Sequence, residues 1–134
     1  MNFIHYDSST QRQIKNSRVI KPELNGAGLI DVGRVTGFIG ERGAETLILE
    51  GGYAGVIINV LDPKYQGLLE TAVLVQMEHG LERHINIILI GSGSALEQQV
   101  MDYGIQVINA PDGYLQQHHL PQLRQALQNI TQRR

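Results

Sequence analysis

The side chains able to do chemistry in this chain stand mostly where short apolar runs give way to loops. Asn59 ends the run Val56-Ile57-Ile58 and is followed by Asp62-Pro63; Asp7 comes directly after Asn2 to Tyr6. Asp62 can in principle accept a phosphoryl group from a loop position, but aspartate before proline is also ordinary turn chemistry. Gly91-Ser92-Gly93-Ser94 follows the run Ile85 to Ile90, and its backbone amides could hold an anion. That loop lacks the longer glycine fingerprint of dinucleotide folds and the Lys-Ser/Thr of a phosphate-binding loop, so it reads more readily as a small-residue turn capped by Ser94. The histidines predict no metal site: His118 and His119 are adjacent and diverge on a helix, while His79 and His84 flank a helix end. With no cysteine, disulfides, thiolate metal sites and a cysteine nucleophile are excluded.

These residues need elements to hold them, and the second half of the chain has the clearer pattern. Val56 to Val60, Ile85 to Ile90 and Ile105 to Ile108 are nearly continuous β-branched runs, as expected of central strands covered on both faces. Between the first two, Leu68 to Gly80 places Leu69, Val73 and Met77 at spacings of four. Ser94 to Glu97 is a capping-box pattern opening a helix that stops at Gly104. The last helix is signalled by Pro121 and by Leu120, Leu123, Leu127 and Ile130 on one stripe. In the first half, Asn2 to Tyr6 reads as a strand, and Ser8-Ser9-Thr10 caps a helix running to about Ile20. The second strand is either Leu29 to Val32 or Arg34 to Phe38, or both as a hairpin; Gly43 to Glu50 is a short helix ended by Gly51-Gly52.

Composition sets the outer limits. At 134 residues, 42% hydrophobic and 18% charged, the chain suits one folded domain spanning residues 1–134. No apolar run approaches the roughly 20 residues of a membrane helix, no stretch has the layout of an export signal, and a cytoplasmic location is expected. A net charge of -2 gives no general attraction to nucleic acid or anionic lipid.

Read as one string, GAETLILEGGYAGVIINVLDPKYQG, Gly43 to Gly67, resembles the receiver domain of bacterial response regulators from its second helix through its third strand. In that family a phosphoacceptor aspartate ends the third strand, with a proline four positions on and a glycine four beyond; here Asn59, Pro63 and Gly67 take those places. Ala110-Pro111 matches the family's Lys-Pro before its final helix. The resemblance implies a flavodoxin-like, doubly wound sheet of five parallel strands in a three-layer α/β arrangement.

The departures define the functional expectation. Phosphoryl transfer to a receiver needs a carboxylate nucleophile, carboxylate-held Mg²⁺ and groups that neutralise charge on the acyl phosphate. The nucleophile position carries Asn59, whose amide is no nucleophile. The family's acidic pair is represented by Asp7 alone, with Tyr6 beside it. The lysine position is Ala110, the aromatic switch is Val107, and the hydroxyl position is Gly91, or Ser92 with the register moved by one. The chain thus resembles the degenerate pseudo-receivers: a signalling module without catalysis, acting on a protein partner or its own homodimer. Asp7, Asn59, Asp62, Gly91, Ser92 and Ala110 would form the degenerate pocket. No residue demands a cofactor, although a nucleotide or quinone could enter between Asp7, Asn59 and Ser92. The family's docking face, formed by the last two strands and final helix, would use Val107, Tyr114, Leu115, Leu120 and Leu123. A second resemblance is to small flavodoxin-like enzymes that cleave N-glycosidic bonds of nucleosides or NAD, in which a glutamate follows a central strand, as Glu70 does here. With no Trp, two Phe and five Tyr the chain offers few convergent stacking groups for a base, and Glu70 reads more readily as a surface residue near a helix start.

Overall fold

The computed structural model describes residues 2–7, 9–24, 27–32, 53–61, 67, 69–74, 86–91 and 105–132. Five strands form one all-parallel sheet: β1 (Asn2–Tyr6), β2 (Gly28–Val32), β3 (Tyr53–Asn59), β4 (Asn86–Gly91) and β5 (Gln106–Asn109), in the order β2-β1-β3-β4-β5. Helix α1 (Thr10–Ile20) follows β1, helical residues 69–74 (α2) follow β3, and α3 (Leu120–Gln132) follows β5. This is the flavodoxin-like α/β fold expected from the sequence.

The β-branched runs became strands because each has a hydrophobic layer on both faces. On one face, Ile4, Tyr6, Val56, Ile58, Ile87 and Leu89 pack with Ala72 of α2, and Leu69 and Val73 lie against that cluster. On the other, Phe3, Ile57, Ile88, Ile90 and Ile108 pack with Ile20 of α1 and Leu123 and Ala126 of α3. Two helical layers therefore enclose the sheet. Leu120, Leu123 and Leu127 of the apolar stripe read for α3 face this core, with Pro121 in its first turn, where a missing backbone N–H costs nothing.

The second strand uses the first of the two segments offered for it, since Leu29 to Val32 pairs with β1 in the register Phe3↔Leu29 to Tyr6↔Val32. The third strand starts earlier than its β-branched run, at Tyr53, with a register shift opposite Asn2 and Phe3. The alternative strand Arg34 to Phe38, the helices read at Gly43 to Glu50 and Ser94 to Gly104, and His79 and His84 lie outside the described residues. Among the described residues no helix is long and apolar enough to cross a membrane.

Helix α1 starts differently from the serine-capped entry expected. Ser9 is its N-cap residue but makes no side-chain capping bond; instead the Ser9 amide donates to the Asp7 carboxylate at 2.9 Å. That carboxylate supplies an anchor for the strand-to-helix turn, and it leads directly to the site.

Candidate functional site

In a sheet of this order the chain leaves β1 in opposite directions toward β2 and β3, and the crevice at the carboxyl ends of β1 and β3 is where such folds bind ligands. Asp7 follows β1 and Asn59 ends β3, so both stand at this edge, and both are fully buried. Among the described residues, both side chains are partnered from within the chain. Arg12, one turn into α1, lays its guanidinium along the Asp7 carboxylate, donating from Nε to Oδ2 at 2.7 Å and from Nη2 to Oδ1 at 2.8 Å. This fork-to-fork arrangement is the strong form of a charge-assisted hydrogen bond. With the Ser9 amide also on Oδ1, both carboxylate oxygens are engaged.

Asn59 is equally committed. Its Nδ2 donates to the Gly113 carbonyl at 2.9 Å, and its Oδ1 accepts the Leu61 amide at 3.0 Å. Asn16 of α1 donates to the same Gly113 carbonyl at 2.9 Å and accepts the Leu115 amide at 2.8 Å. Two buried carboxamides thus clamp the loop between β5 and α3 over the crevice. Gly113 is required there: its φ is +78°, and a Cβ would lie 2.7 Å from Leu61 Cδ1 and 3.1 Å from both Arg12 Cδ and Asn59 Oδ1.

Gly91 and Ala110, two more of the expected pocket residues, are packed from within the chain. Gly91 ends β4 without a hydroxyl, and Val60 packs so closely over it that any Cβ there would collide with the valine side chain. Ala110 is buried in the core beside Ile108 and Leu115, its amide bonded to the Gly91 carbonyl at 3.0 Å. No ammonium can project from that position. Asp62 and Ser92 lie outside the described residues. Glu70 is exposed on α2.

This donor set does not fit a divalent cation. Mg²⁺ requires several free oxygen ligands, whereas, among the described residues, the buried carboxylate at this edge, Asp7, is engaged by a guanidinium that would itself repel a metal ion. Among the described residues no cluster of metal-ligating side chains occurs elsewhere.

The expected docking face is altered by packing. Leu115 and Leu123 are buried in the core and cannot meet a partner. Val107 lies against the opposite cluster, Leu120 packs partly on the core, and Tyr114 is half-buried. The face expected from five residues is therefore corrected to the three that keep some exposure, because Leu123 of α3 and Leu115 of the loop before it fill the core against β4 and β5.

A second polar cluster had no counterpart in the sequence reading. His5, fully buried in mid-β1, faces Asp31 of β2 through Nδ1 at 2.9 Å; the Ser17 hydroxyl of α1 donates to the same Asp31 oxygen at 2.7 Å and lies 3.1 Å from His5 Nδ1. Serine, histidine and acid meet, but not as a nucleophile triad, in which hydroxyl and carboxylate occupy opposite ring nitrogens. Here both crowd Nδ1, and Nε2 is buried with no hydrogen-bond partner among the described residues. Burial pushes the Asp31 carboxyl up, but hydrogen bonds from His5 and Ser17 and the charges of His5 and Lys21 outweigh it and hold the group below the usual aspartate range. The cluster ties α1 to the β1–β2 edge of the sheet. The pairing of His5 with Asp31 follows from their being register partners on parallel strands, which is not visible until the sheet is assembled.

At the start of α3, His119 is buried and its Nδ1 accepts the Gln116 amide at 2.9 Å. Burial, helped by the neighbouring His118, pushes its pKa below the ordinary value, against the opposing pull of Asp112 and the Asn109 backbone. The folded chain therefore takes up this proton less readily than the unfolded chain, whose histidine titrates near 6.5. Its stabilisation is fully present above that value and is lost as pH falls through and below it. Denaturant midpoints measured from about pH 8 to about pH 5 should fall in the parent chain. They should fall less in His119→Gln, which keeps an acceptor but does not titrate.

No family model, curated protein or solved structure matches the chain.

Proposed function

We propose that the chain is a non-catalytic signalling or regulatory module of the pseudo-receiver kind, acting by contact with another protein and without aspartyl phosphorylation. The observation that carries this reading is the internal pairing of Asp7 and Asn59. Where phosphoryl chemistry would require free carboxylates and a divalent cation, Arg12 neutralises Asp7 internally and the Asn59 amide holds the Gly113 carbonyl. A tethered guanidinium at this spot does the electrostatic work that a bound ion would otherwise do, so the edge is stable without ligand or modification. Such a module has one resting state, and its information lies in its surface.

The test is incubation of the intact chain with acetyl phosphate and Mg²⁺ followed by intact-mass measurement. The spectrum is expected to show the unmodified mass only; a phosphoryl adduct would overturn the reading. A parallel incubation with NAD and deoxynucleosides, analysed by chromatography, is expected to leave both intact. Cleavage of the N-glycosidic bond, lost in Glu70→Gln, would instead favour the enzyme.

A further inference from the structure

We propose that the outer face of α1, continuous with Leu61 and Tyr114 at the carboxyl edge of the sheet, is a docking surface for a protein that presents carboxylates around an apolar side chain. The inference rests on the protein-contact reading above and specifies the surface and the partner's chemistry.

The solvent stripe of α1 and the turn after it is Gln11, Lys15, Arg18 and Pro22, spaced i, i+4, i+7 and i+11, with exposed Lys21 adjoining it. Helix α1 contains no acidic residue. The carboxylate of the following turn, Glu23, is taken by Arg124 through two hydrogen bonds of 2.9 and 3.1 Å, which lower its pKa. Asp7 and Asp31 are likewise engaged, with Arg12 and with His5 and Ser17. Among the described residues, Lys15 and Arg18 have no carboxylate within ion-pairing distance, and Lys21 acts on Asp31 through its charge without an ion-pair contact. This is a cationic stripe on a chain whose net charge is -2, so it is a local feature rather than a general positive field.

An apolar element adjoins it. The Lys15 ammonium lies 5.4 Å from the centroid of the Tyr114 ring, which places the aromatic next to the stripe. Tyr114 follows Gly113, and Leu61 packs over Gly113 from the β3 side while remaining 44% exposed. Leucine, tyrosine, lysine and arginine thus form one surface across the crevice. An aromatic and aliphatic centre with a charged rim is the composition of protein interfaces, and the rim charges orient the partner as it approaches. Nucleic acid fits less well, since it needs cations tracking a phosphate backbone and has no use for an exposed leucine.

The probe is a synthetic amphipathic helical peptide with glutamates flanking a central leucine, titrated at low ionic strength into the ¹⁵N-labelled full chain. Chemical-shift changes are expected at residues 11–22, at 61 and at 113–115. The variant Lys15→Glu/Arg18→Glu/Lys21→Glu should bind at least about tenfold more weakly, as expected when attraction at the rim becomes repulsion. Leu61→Ser, which leaves the charge unchanged, should also weaken binding; all four substituted residues are exposed, and unchanged unfolding midpoints would show that the fold is intact. Three outcomes overturn the proposal: shifts confined to β5 and α3, equal binding by the charge-reversed variant, or tighter binding of duplex DNA or phosphatidylserine vesicles at the same residues. The acetyl phosphate experiment reports on the parent reading independently, so failure of this surface and failure of the non-catalytic assignment are read from different measurements.

Discussion

Arg12→Ala is expected to cost about 3–5 kcal/mol of folding stability, the penalty typical of stranding one member of a buried ion pair. The Asp7 carboxylate is completely buried and the Arg12 side chain is 15% exposed, so solvent can do little to replace the lost guanidinium. Urea unfolding should show the loss as a lower midpoint with an unchanged slope. Asp7→Asn combined with Arg12→Met should recover at least half of it. That pair removes the stranded charge, keeps an acceptor for the Ser9 amide and refills the volume of the arginine stem. If the double variant is as unstable as Arg12→Ala, the ion pair is not what holds this edge together.

The second large effect is expected from Asn59→Asp, the substitution that would restore an acid at the position matching a receiver's phosphoacceptor. The change removes the Nδ2 donor and sets a carboxylate oxygen against the Gly113 carbonyl, now 2.9 Å from that nitrogen, in a fully buried site. A loss of about 2–4 kcal/mol follows from an unmade buried hydrogen bond together with a poorly compensated charge. Acidification should narrow the difference from the parent chain, because a protonated carboxyl regains an O–H donor for the carbonyl. Acetyl phosphate with Mg²⁺ should still leave the variant unmodified, since Arg12 continues to occupy Asp7 and Ala110 supplies no ammonium. A phosphoryl adduct on the introduced carboxylate would mean that the crevice opens more readily than its hydrogen bonds suggest.

The two predictions turn on the same contrast between position and environment. Asn59 could be placed at a strand end by reading its apolar run, since a strand buried on both faces leaves a continuous β-branched signature, while Asp7 follows the more mixed strand segment Asn2 to Tyr6. The state of those residues could not be read that way. Arg12 looks like any cation on a helix, and only the turn geometry after β1 aims it at a carboxylate five positions earlier. Of the three residues between which a ligand could have entered, Asp7 and Asn59 are therefore engaged within the chain, and Ser92 lies outside the described residues. Leu115 and Leu123 show the same limit in reverse. Their apolar character fits an exposed docking face and a core equally well, and packing of α3 and of the loop before it on β4 and β5 decides for the core.

What the sequence by itself determined is the alternation of buried strands and amphipathic helices, hence the parallel sheet, and the absence of a carboxylate at Asn59. Those properties are local, written in the period of apolar residues and in the identity of single side chains. The tertiary structure decided how Asp7 and Asn59 are partnered and which surface remains. Asn16 meets Gly113 and Leu115 across 97 and 99 positions, and Asn59 meets Gly113 across 54. Hydrogen bonds between residues so distant leave no periodic trace in the chain, because the partner of a buried amide is set by which loop the assembled sheet brings over it.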